Sequence, residues 1–236
     1  MPVSKADLKV DWATHEAAKY ACEHWHYSKC LPKYKLVKVG VWESGKFIGV
    51  VIFAYGATPN LSKPYGLTQD RCVELCRIAL TSHKAEVSRI VKLSIMFLMK
   101  ICNKLKLIVS FADTTQGHHG GIYQAGNWVY TGTSSEDTFY LIHGKLTHRR
   151  SMGSIGLTQN LKGAQTIDKN AKLVKVPGKH RYLMPLDPEM RAKIAPLAQP
   201  YPKRTKDQAP EFPSGLGGET PTCALHLPPA RASAHG

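Results

Sequence analysis

The sequence has no run of about 18 apolar residues, the length that a membrane-spanning helix requires. Its first residues, MPVSKADLKVDW, also lack the apolar core of a secretory signal, so we expect the protein to remain in the cytoplasm. The six cysteines are scattered and none stands in a CxxC pair. This pattern argues against a zinc ribbon and a disulfide scaffold, and it predicts reduced thiols, some of them in the core.

The chain is also short of acidic residues. Asp and Glu number 17 against 32 Lys and Arg, which gives a net charge of +15. Such an excess is typical of proteins that bind a polyanion, most often a nucleic acid. A basic surface without a partner is the alternative, and attachment to an acidic membrane is a weaker explanation of the charge.

The length of 236 residues suits one domain with a tail. Residues 205–236 are rich in proline and small polar residues and carry two basic and three acidic side chains. We therefore predict one domain over residues 1–204 and a disordered, flexible tail over residues 205–236. The positive charge then belongs to the domain.

The order of predicted elements indicates an α/β domain with a mixed sheet. Periodicity, caps and turn residues predict a helix over 12–25, a hairpin over 36–55, a strand over 72–81, a helix over 87–103, strands over 107–112 and 128–131 with a short helix over 122–126 between them, and a strand over 138–143. Residues 144–171 have an irregular, basic pattern in which residues 148–150 form an exposed cationic group. Residues 173–176 and 181–186 are predicted to form a closing hairpin.

The strand over 107–112 ends in a polar, glycine-rich turn. Asp113, His118, His119 and Tyr123 follow it within eleven residues. Ligands of α/β sheets bind beyond the carboxyl ends of strands, so a site is expected here. The alternative is a polar loop that only caps the strand.

Two further features are unusual. Arg77 stands in the middle of a strand, where a charge is costly unless it is paired or faces a cleft; an ion pair with Glu74 is the structural alternative. His24 and His26 point the same way only on an extended chain and diverge on a helix. A packed loop is the alternative interpretation of the two histidines.

Several motifs carry a resemblance to known families. GGIYQAG-W-YTG resembles the last helix–strand unit of the GNAT acyltransferase fold. Together, HWHYSKCLP, KPYGL, SFAD, QGHHGGIYQAGNW-YTG and PGKHRYLMPLD resemble the Mom family of bacteriophage DNA-modification proteins, over residues 20–204. The resemblance implies a GNAT-like fold, a mixed central sheet flanked by helices.

The resemblance also implies a function. It implies a transferase that converts adenine in duplex DNA to N6-carbamoylmethyl-adenine, which protects phage DNA from host restriction. The protein would then act in the cytoplasm of an infected or lysogenic bacterial host. A non-catalytic, basic DNA-binding protein and a GNAT N-acyltransferase acting on protein are the rival classes, and the oligomeric state, including a homodimer, is left open.

The motif match assigns functional roles to five residues. Asp113 is expected to act as general base or metal ligand, Tyr123 as general acid, and Arg77 as the group that stabilises negative charge on a carbonyl oxygen. His26 and Tyr27 complete the expected catalytic set. Since Mom proteins are described as iron-binding, His26, Tyr27 and Asp113 are also a candidate N/O ligand set for iron.

The group donor is open between two classes. The turn between the strand over 72–81 and the helix over 87–103 is where GNAT enzymes bind the pyrophosphate of coenzyme A. Its cofactor-binding candidates are Ser82, Lys84, Ser88 and Arg89, but the usual glycine-rich pattern is absent. Acetyl coenzyme A is one donor; the other is an activated glycine such as glycyl-tRNA, because a glycyl group on N6 is an isomer of a carbamoylmethyl group.

A protein that modifies a base inside a duplex must flip it out, hold the phosphates and stack the base. The candidate stacking residues are Tyr27, Tyr65, Tyr123 and Trp128. The candidate DNA-binding residues are Lys29, Lys33, Lys63, Tyr65, Arg149, Arg150, Lys179 and Arg181.

Overall fold

The computed structural model describes residues 7–56, 60–153 and 156–203. The strands are β1 (Leu8–Trp12), β2 (Leu36–Glu43), β3 (Lys46–Ala54), β4 (Cys72–Leu80), β5 (Leu107–Ala112), β6 (Val129–Thr133), β7 (Asp137–Ile142), β8 (Lys145–His148), β9 (Lys172–Val176) and β10 (His180–Pro185). The α-helices are α1 (His15–Trp25), α2 (Val87–Ile101), α3 (Gly121–Ala125), α4 (Arg149–Gly153), α5 (Leu161–Ile167) and α6 (Pro188–Ile194).

Seven strands form the main sheet, in the order β1-β2-β3-β4-β5-β10-β6. Neighbours are antiparallel except β4 and β5, which run parallel and are connected through α2. A second sheet has the order β8-β7-β9 and lies in sequence between β6 and β10. The predicted α/β class, a mixed central sheet flanked by helices, is confirmed.

The main sheet separates into two arms between β4 and β5. The parallel pairing runs from Cys72–Leu107 to Leu75–Ser110 and goes no further. Beyond that point β4 continues along β3, whereas β5 continues along β10 as far as the Ala112–His180 pair. Because the two strands part, a cleft opens between them. We call the Leu75–Ser110 pair the fork.

Helices cover the two faces of the main sheet. On α1, Ala18, Ala21 and Cys22 pack against Val50 and Ile52 of β3. The helix begins at the predicted cap, where the Thr14 hydroxyl accepts a hydrogen bond from the Ala17 amide at 3.1 Å.

On the opposite face, α2 buries Ile90, Val91 and Leu98 in the largest hydrophobic cluster, which also contains Val51 and Ile108. Ile101, in the last turn of α2, is apolar but exposed. The two faces of the main sheet are therefore each covered by a helix.

The chain between residues 144 and 186 differs from its prediction. The segment predicted as irregular contains β8, α4 and α5. The predicted closing hairpin is also wrong, because β9 pairs with β7 in the small sheet while β10 inserts between β5 and β6. Both differences arise from pairing between strands that are distant in sequence, and the local sequence pattern does not reveal such pairing.

The N-terminal segment and the thiols also differ in part from expectation. Trp12 ends β1, a strand that the sequence did not predict, and is half exposed. Cys22, Cys72, Cys76 and Cys102 are free thiols as expected, but Cys30 is disulfide-bonded. Across the described residues, no helix combines the length and apolarity needed to cross a bilayer. The predicted tail, residues 205–236, lies outside the described residues.

Candidate active site

A cleft of about 1130 Å³ opens at the fork. Its walls come from the end of α1, from β4, from the turn after β5, from α3 and from the connection between β9 and β10. The predicted catalytic residues His26, Tyr27, Arg77 and Tyr123 all line it. These four residues are distant in sequence and are brought together at one cleft.

Arg77 is aimed by an irregularity in β4. The β3–β4 register shifts between Ile52, which faces Arg77, and Phe53, which faces Leu75, so Cys76 is an extra residue in β4. Bulges of this kind re-aim side chains next to active sites. Arg77 is buried and donates from Nη1 to the Cys76 carbonyl oxygen at 2.6 Å, which fixes its guanidinium beside the cleft.

Tyr123 reaches the fork from α3. Its hydroxyl lies 2.8 Å from Ser110 Oγ, and Ser110 Oγ also donates to the Leu75 carbonyl oxygen at 2.8 Å. Since Ser110 has one hydroxyl proton and the carbonyl only accepts, the Tyr123 hydroxyl donates to Ser110 when that proton is committed to Leu75. Burial raises the pKa of Tyr123 to about 12, so the phenol keeps its proton.

Asp113 does not lie open in the cleft. Its Oδ2 pairs with Lys179 Nζ at 2.9 Å, and its Oδ1 accepts from the Thr115 amide at 3.1 Å and the Thr115 hydroxyl at 2.7 Å. Burial alone would raise the pKa of Asp113, but Lys179 and the Thr115 bonds outweigh it and lower the pKa. Lys179, predicted as a phosphate contact, pairs with Asp113 and lines the cleft.

His26 follows the last residue of α1, and His24 lies within the helix, so the two diverge. His24 stacks on Tyr20 and faces away, with Nδ1 2.9 Å from the Tyr20 carbonyl oxygen. His26 is 8% exposed, and its Nδ1 lies 2.8 Å from Ser28 Oγ. Burial first, and then the positive charge of Arg77, lowers the pKa of His26 to about 3, so the ring is neutral.

Aromatic rings form one wall of the cleft. Tyr27 packs edge-on against His118 with ring centroids 5.4 Å apart and against His26 at 4.3 Å. Burial and the charge of Asp113 raise the pKa of Tyr27, so its phenol is neutral. Burial lowers the pKa of His118, although Asp113 opposes the shift. The wall is therefore uncharged and suited to stacking.

The candidate iron ligands do not fit a metal. Both carboxylate oxygens of Asp113 are engaged by Lys179 and Thr115, and the Nδ1 lone pair of His26 accepts from the Ser28 amide at 3.1 Å. No group of three or more His, Cys, Asp or Glu residues suited to a metal occurs within residues 7–56, 60–153 and 156–203.

Several cleft residues were not predicted as site residues, and Glu74 and Tyr34 are two of them. Glu74 was singled out only as a partner for Arg77, and Tyr34 was not singled out at all, because a lone tyrosine in a loop carries no signal. Both line the cleft near Cys76. Burial, and then the charge of Glu74, raises the pKa of Cys76 to about 12, so this thiol is not a thiolate nucleophile.

The outer wall of the cleft comes from Asp137 and Phe139 of the small sheet and from Arg149 at the start of α4. His148, predicted to be exposed, is fully buried, and its Nε2 lies 3.0 Å from Asp137 Oδ2. The last three residues of β8 are all buried, so the cationic group predicted at 148–150 is wrong at His148. Arg149 is exposed at the rim; Arg150 belongs to α4, and its side chain lies outside the described part of the chain.

The backbone amides of the predicted cofactor turn are already hydrogen-bonded to a side chain of the protein. The Glu43 carboxylate accepts from the Lys84 amide at 3.0 Å and from the Ala85 amide at 2.8 Å. These are the free backbone groups that a pyrophosphate would need. The predicted cofactor-binding residues Ser82, Lys84, Ser88 and Arg89 do not line the cleft, and the turn as built does not fit the pyrophosphate of coenzyme A.

The other DNA-binding candidates occupy different environments. Lys33 and Lys63 are exposed, and exposed Lys29 donates from Nζ to the His24 carbonyl oxygen at 3.0 Å. Arg181 is engaged by Thr131, with Nε 2.9 Å from its hydroxyl. Tyr65 is buried.

Of the four candidate stacking residues, only Tyr27 and Tyr123 line the cleft. Tyr65 packs with Cys72 and Leu183, and Trp128 is buried in the main core, so both act as structural residues.

Comparison with known proteins identifies the chain. It matches the Mom protein family over residues 7–203. It is 26% identical over 204 residues to a protein of Escherichia phage Mu named "Methylcarbamoylase mom", and the alignment covers 84% of each chain.

Among solved structures, the chain is similar to a putative acetyltransferase of Acinetobacter baylyi ADP1, with a TM-score of 0.42, 11% identity, and coverage of 78% of this chain and 95% of that one. A spermidine N-acetyltransferase of Vibrio cholerae in complex with CoA and spermine gives the same TM-score and identity, covering 75% of this chain and 95% of that one.

The fold and site thus define an α/β protein with a polar, partly aromatic cleft at a forked sheet. Because the family match spans nearly all described residues, the chain belongs to the Mom protein family.

Proposed function

We propose that this protein is a DNA-modifying transferase that converts adenine in duplex DNA to N6-carbamoylmethyl-adenine and so protects phage DNA from host restriction. The observation that carries the proposal is the cleft at the fork, where Arg77, His26, Tyr123 and Lys179 converge in a member of the Mom protein family. The name of the phage Mu relative supports a methylcarbamoyl-type transfer. The net charge of +15 supports duplex DNA as the partner, in the cytoplasm of the bacterial host.

The cleft suits a base that has been flipped out of the duplex. Tyr27 offers a ring face beside His118 for stacking. Arg149 stands exposed at the rim, where a phosphate flanking the flipped nucleotide would lie. Lys33 and Lys63 are exposed and are retained as candidate phosphate contacts farther along the duplex.

Three residues at the fork have separate roles in the proposed reaction. Adenine N6 is a weak nucleophile, because its lone pair is shared with the ring, and must lose a proton as it attacks. Glu74 is the carboxylate beside Cys76 and Arg77, and we assign it as the proton acceptor. Arg77 stabilises the negative charge that develops on the carbonyl oxygen, and Tyr123 protonates the leaving group.

Asp113 receives a different role from the one that the motif suggested. With both oxygens bonded and its pKa lowered, it is a poor proton acceptor. We assign it to positioning Lys179, whose ammonium group then faces the cleft and binds an anionic part of the donor. Asp113 is thus a positioning residue that acts through Lys179.

An activated glycine is the donor that fits the site. The Glu43 carboxylate occupies the amides that would bind the pyrophosphate of coenzyme A. N6 attacks the glycyl ester carbonyl, the ester C–O bond breaks, and the leaving alcohol, the tRNA 3′ end for glycyl-tRNA, takes a proton. The glycyl amine then attacks C6 through a five-membered ring, the C6–N6 bond breaks, and N6 leaves as the terminal primary amide, a step favoured by the proximity of the amine.

The test is mass spectrometry of nucleosides from DNA of cells that express the protein. The expected product is a deoxyadenosine heavier by C2H3NO that is absent with Arg77→Ala. Adenine labelled with 15N at N6 tests the donor: the label is expected in the carboxamide, and label retained on C6 excludes the glycyl route. Unmodified DNA beside soluble, DNA-binding protein favours a non-catalytic binder, and acylated protein without modified DNA favours the protein acyltransferase.

A further inference from the structure

Ser28 fixes which nitrogen of His26 carries the proton. The Ser28 backbone N–H donates to His26 Nδ1 at 3.1 Å, and the Ser28 hydroxyl lies 2.8 Å from the same nitrogen. A backbone N–H is a donor only, so Nδ1 must present its lone pair. In a neutral imidazole, the one ring proton then sits on Nε2.

The surroundings of the ring keep it neutral. His26 is largely buried, and Tyr27 packs against its ring as a neutral phenol with centroids 4.3 Å apart. The remaining charged or titratable groups that face it are Arg77 on β4, His118 after β5, Lys179 before β10 and Lys29 after α1. Each of these, when charged, is a cation, and cations disfavour a second proton on the ring. When a ligand binds, His26 is therefore neutral and carries its proton on Nε2.

The Nε2–H group is the polar end of His26 that remains for a ligand. Nε2 makes no hydrogen bond to any residue in the described part of the chain, and the ring lines the cleft. An N–H donor held in a buried cleft needs an acceptor from the ligand, since leaving it unbonded is costly.

A metal is not a suitable partner for this nitrogen. A metal-bound histidine coordinates through a lone pair and usually donates its other ring N–H to an acceptor. Here Nδ1 faces a donor, so placing the proton on Nδ1 to free Nε2 would set two N–H groups against each other. The Ser28 backbone N–H thus presents a donor to Nδ1, where a histidine that binds a metal through Nε2 would need an acceptor.

We propose that His26 is a neutral hydrogen-bond donor whose Nε2–H, together with Arg77, binds the carbonyl oxygen of the acyl group being transferred. The identity of that acceptor rests on the proposed transferase function. A cation and a fixed neutral N–H that share one developing oxyanion stabilise the transition state without moving during the reaction. The ring nitrogens of adenine are the competing acceptor.

The first experiment is NMR of the full chain with 15N-labelled histidine, with the His26 signals assigned by their loss in His26→Gln. The expected spectrum shows protonated Nε2 and unprotonated Nδ1, unchanged by Fe²⁺ or Zn²⁺ and unchanged in Ser28→Ala, which keeps the backbone donor. Protonated Nδ1, or a metal-dependent shift of Nε2, overturns the proposal. This readout does not depend on activity, so it fails separately from the proposed function.

The second experiment measures the modification rate and DNA affinity of His26 variants. His26→Ala is expected to lower the rate by about 10²-fold with unchanged DNA affinity, and His26→Gln, which keeps an N–H donor, is expected to recover part of it. His24→Gln, two residues away and outside the cleft, is the matched control and should match the wild type. Equal losses in the Gln and Ala variants, or loss of adenine-over-guanine discrimination instead of rate, overturn the assignment to the carbonyl oxygen.

Discussion

Lys179 Nζ lies 2.9 Å from Asp113 Oδ2, and Asp113 is only 5% exposed. The two residues are 66 positions apart in sequence, and the pairing of β5 with β10 brings them together. The carboxylate is thereby committed to holding a lysine at the cleft. Asp113 therefore serves the site by positioning Lys179.

This relationship predicts non-additive losses. Asp113→Asn and Lys179→Met should each lower DNA modification by about 10²-fold, and the double variant should lose little more, because both remove the same positioned ammonium group. The mass-spectrometric assay of modified deoxyadenosine measures all three. Asp187→Asn is the matched control, since it breaks the pair with Lys106 at 2.6 Å outside the cleft and should leave the modification rate intact. Multiplicative losses in the double variant would mean that Asp113 acts independently of Lys179.

The same pair predicts acid sensitivity of the fold. The pKa of Asp113 is lowered from 3.8, so its stabilising contribution is complete above that value and is lost as the pH falls through the lower, folded-state pKa. Urea unfolding between pH 7 and pH 2 should show this loss below about pH 4. Asp113→Asn should be less stable by about 1–3 kcal/mol at pH 7 and should lack this part of the acid limb. An identical pH slope in the two proteins would contradict the pairing.

Glu74→Gln tests the proton acceptor. An amide cannot take the N6 proton, so the modification rate should fall by about 10²-fold or more, while the fold and DNA affinity persist. Glu136, an exposed residue at the cleft rim, offers the matched control, and Glu136→Gln should be near wild type. Full activity of the Glu74→Gln variant would show that another group accepts the N6 proton.

Most strands of the main sheet followed from the sequence because they rest on local signals. The β2–β3 hairpin forms within the predicted range 36–55, and Thr14 caps α1. Arg77 was singled out because a charge inside an apolar strand needs a cleft or a partner, and it lines the cleft.

The parts that escaped prediction depend on distant pairing. Nothing in the local pattern around Lys179 indicates that Asp113 holds it, and the insertion of β10 beside β5 is visible only in the sheet. Glu43 fills the predicted cofactor turn from a strand 41 residues upstream of Lys84. The sequence predicts a turn with free backbone amides, but it does not show that Glu43 accepts their hydrogen bonds.

Gly178 is expected to be intolerant of a side chain. A Cβ there would collide with the Ser134 carbonyl oxygen, and the Gly178 carbonyl oxygen accepts from the Thr114 hydroxyl at 3.0 Å. Gly178→Ala should displace the segment that carries Lys179 and lower the modification rate markedly. Gly144→Ala is the control: its φ of +75° makes alanine strained by about 1 kcal/mol, but no atom lies within 4 Å, so activity should persist. Equal activity of the two variants would show that the close approach at Gly178 does not position the site.

The Glu43 carboxylate predicts the response to coenzyme A. It is bonded to the Lys84 and Ala85 amides, and these bonds lower its pKa, so it stays charged at neutral pH. A bound carboxylate and a pyrophosphate cannot share these amides, so millimolar coenzyme A should not raise the Tm of the wild-type protein in a thermal-shift assay. Glu43→Ala should lower the Tm, because the amides lose their acceptor. Glu86→Ala, at the cap of α2 but without a side-chain cap bond, should change the Tm little. A rise in the wild-type Tm with coenzyme A would show that the Glu43 carboxylate can leave these amides. Acetyl coenzyme A would then again be a candidate donor.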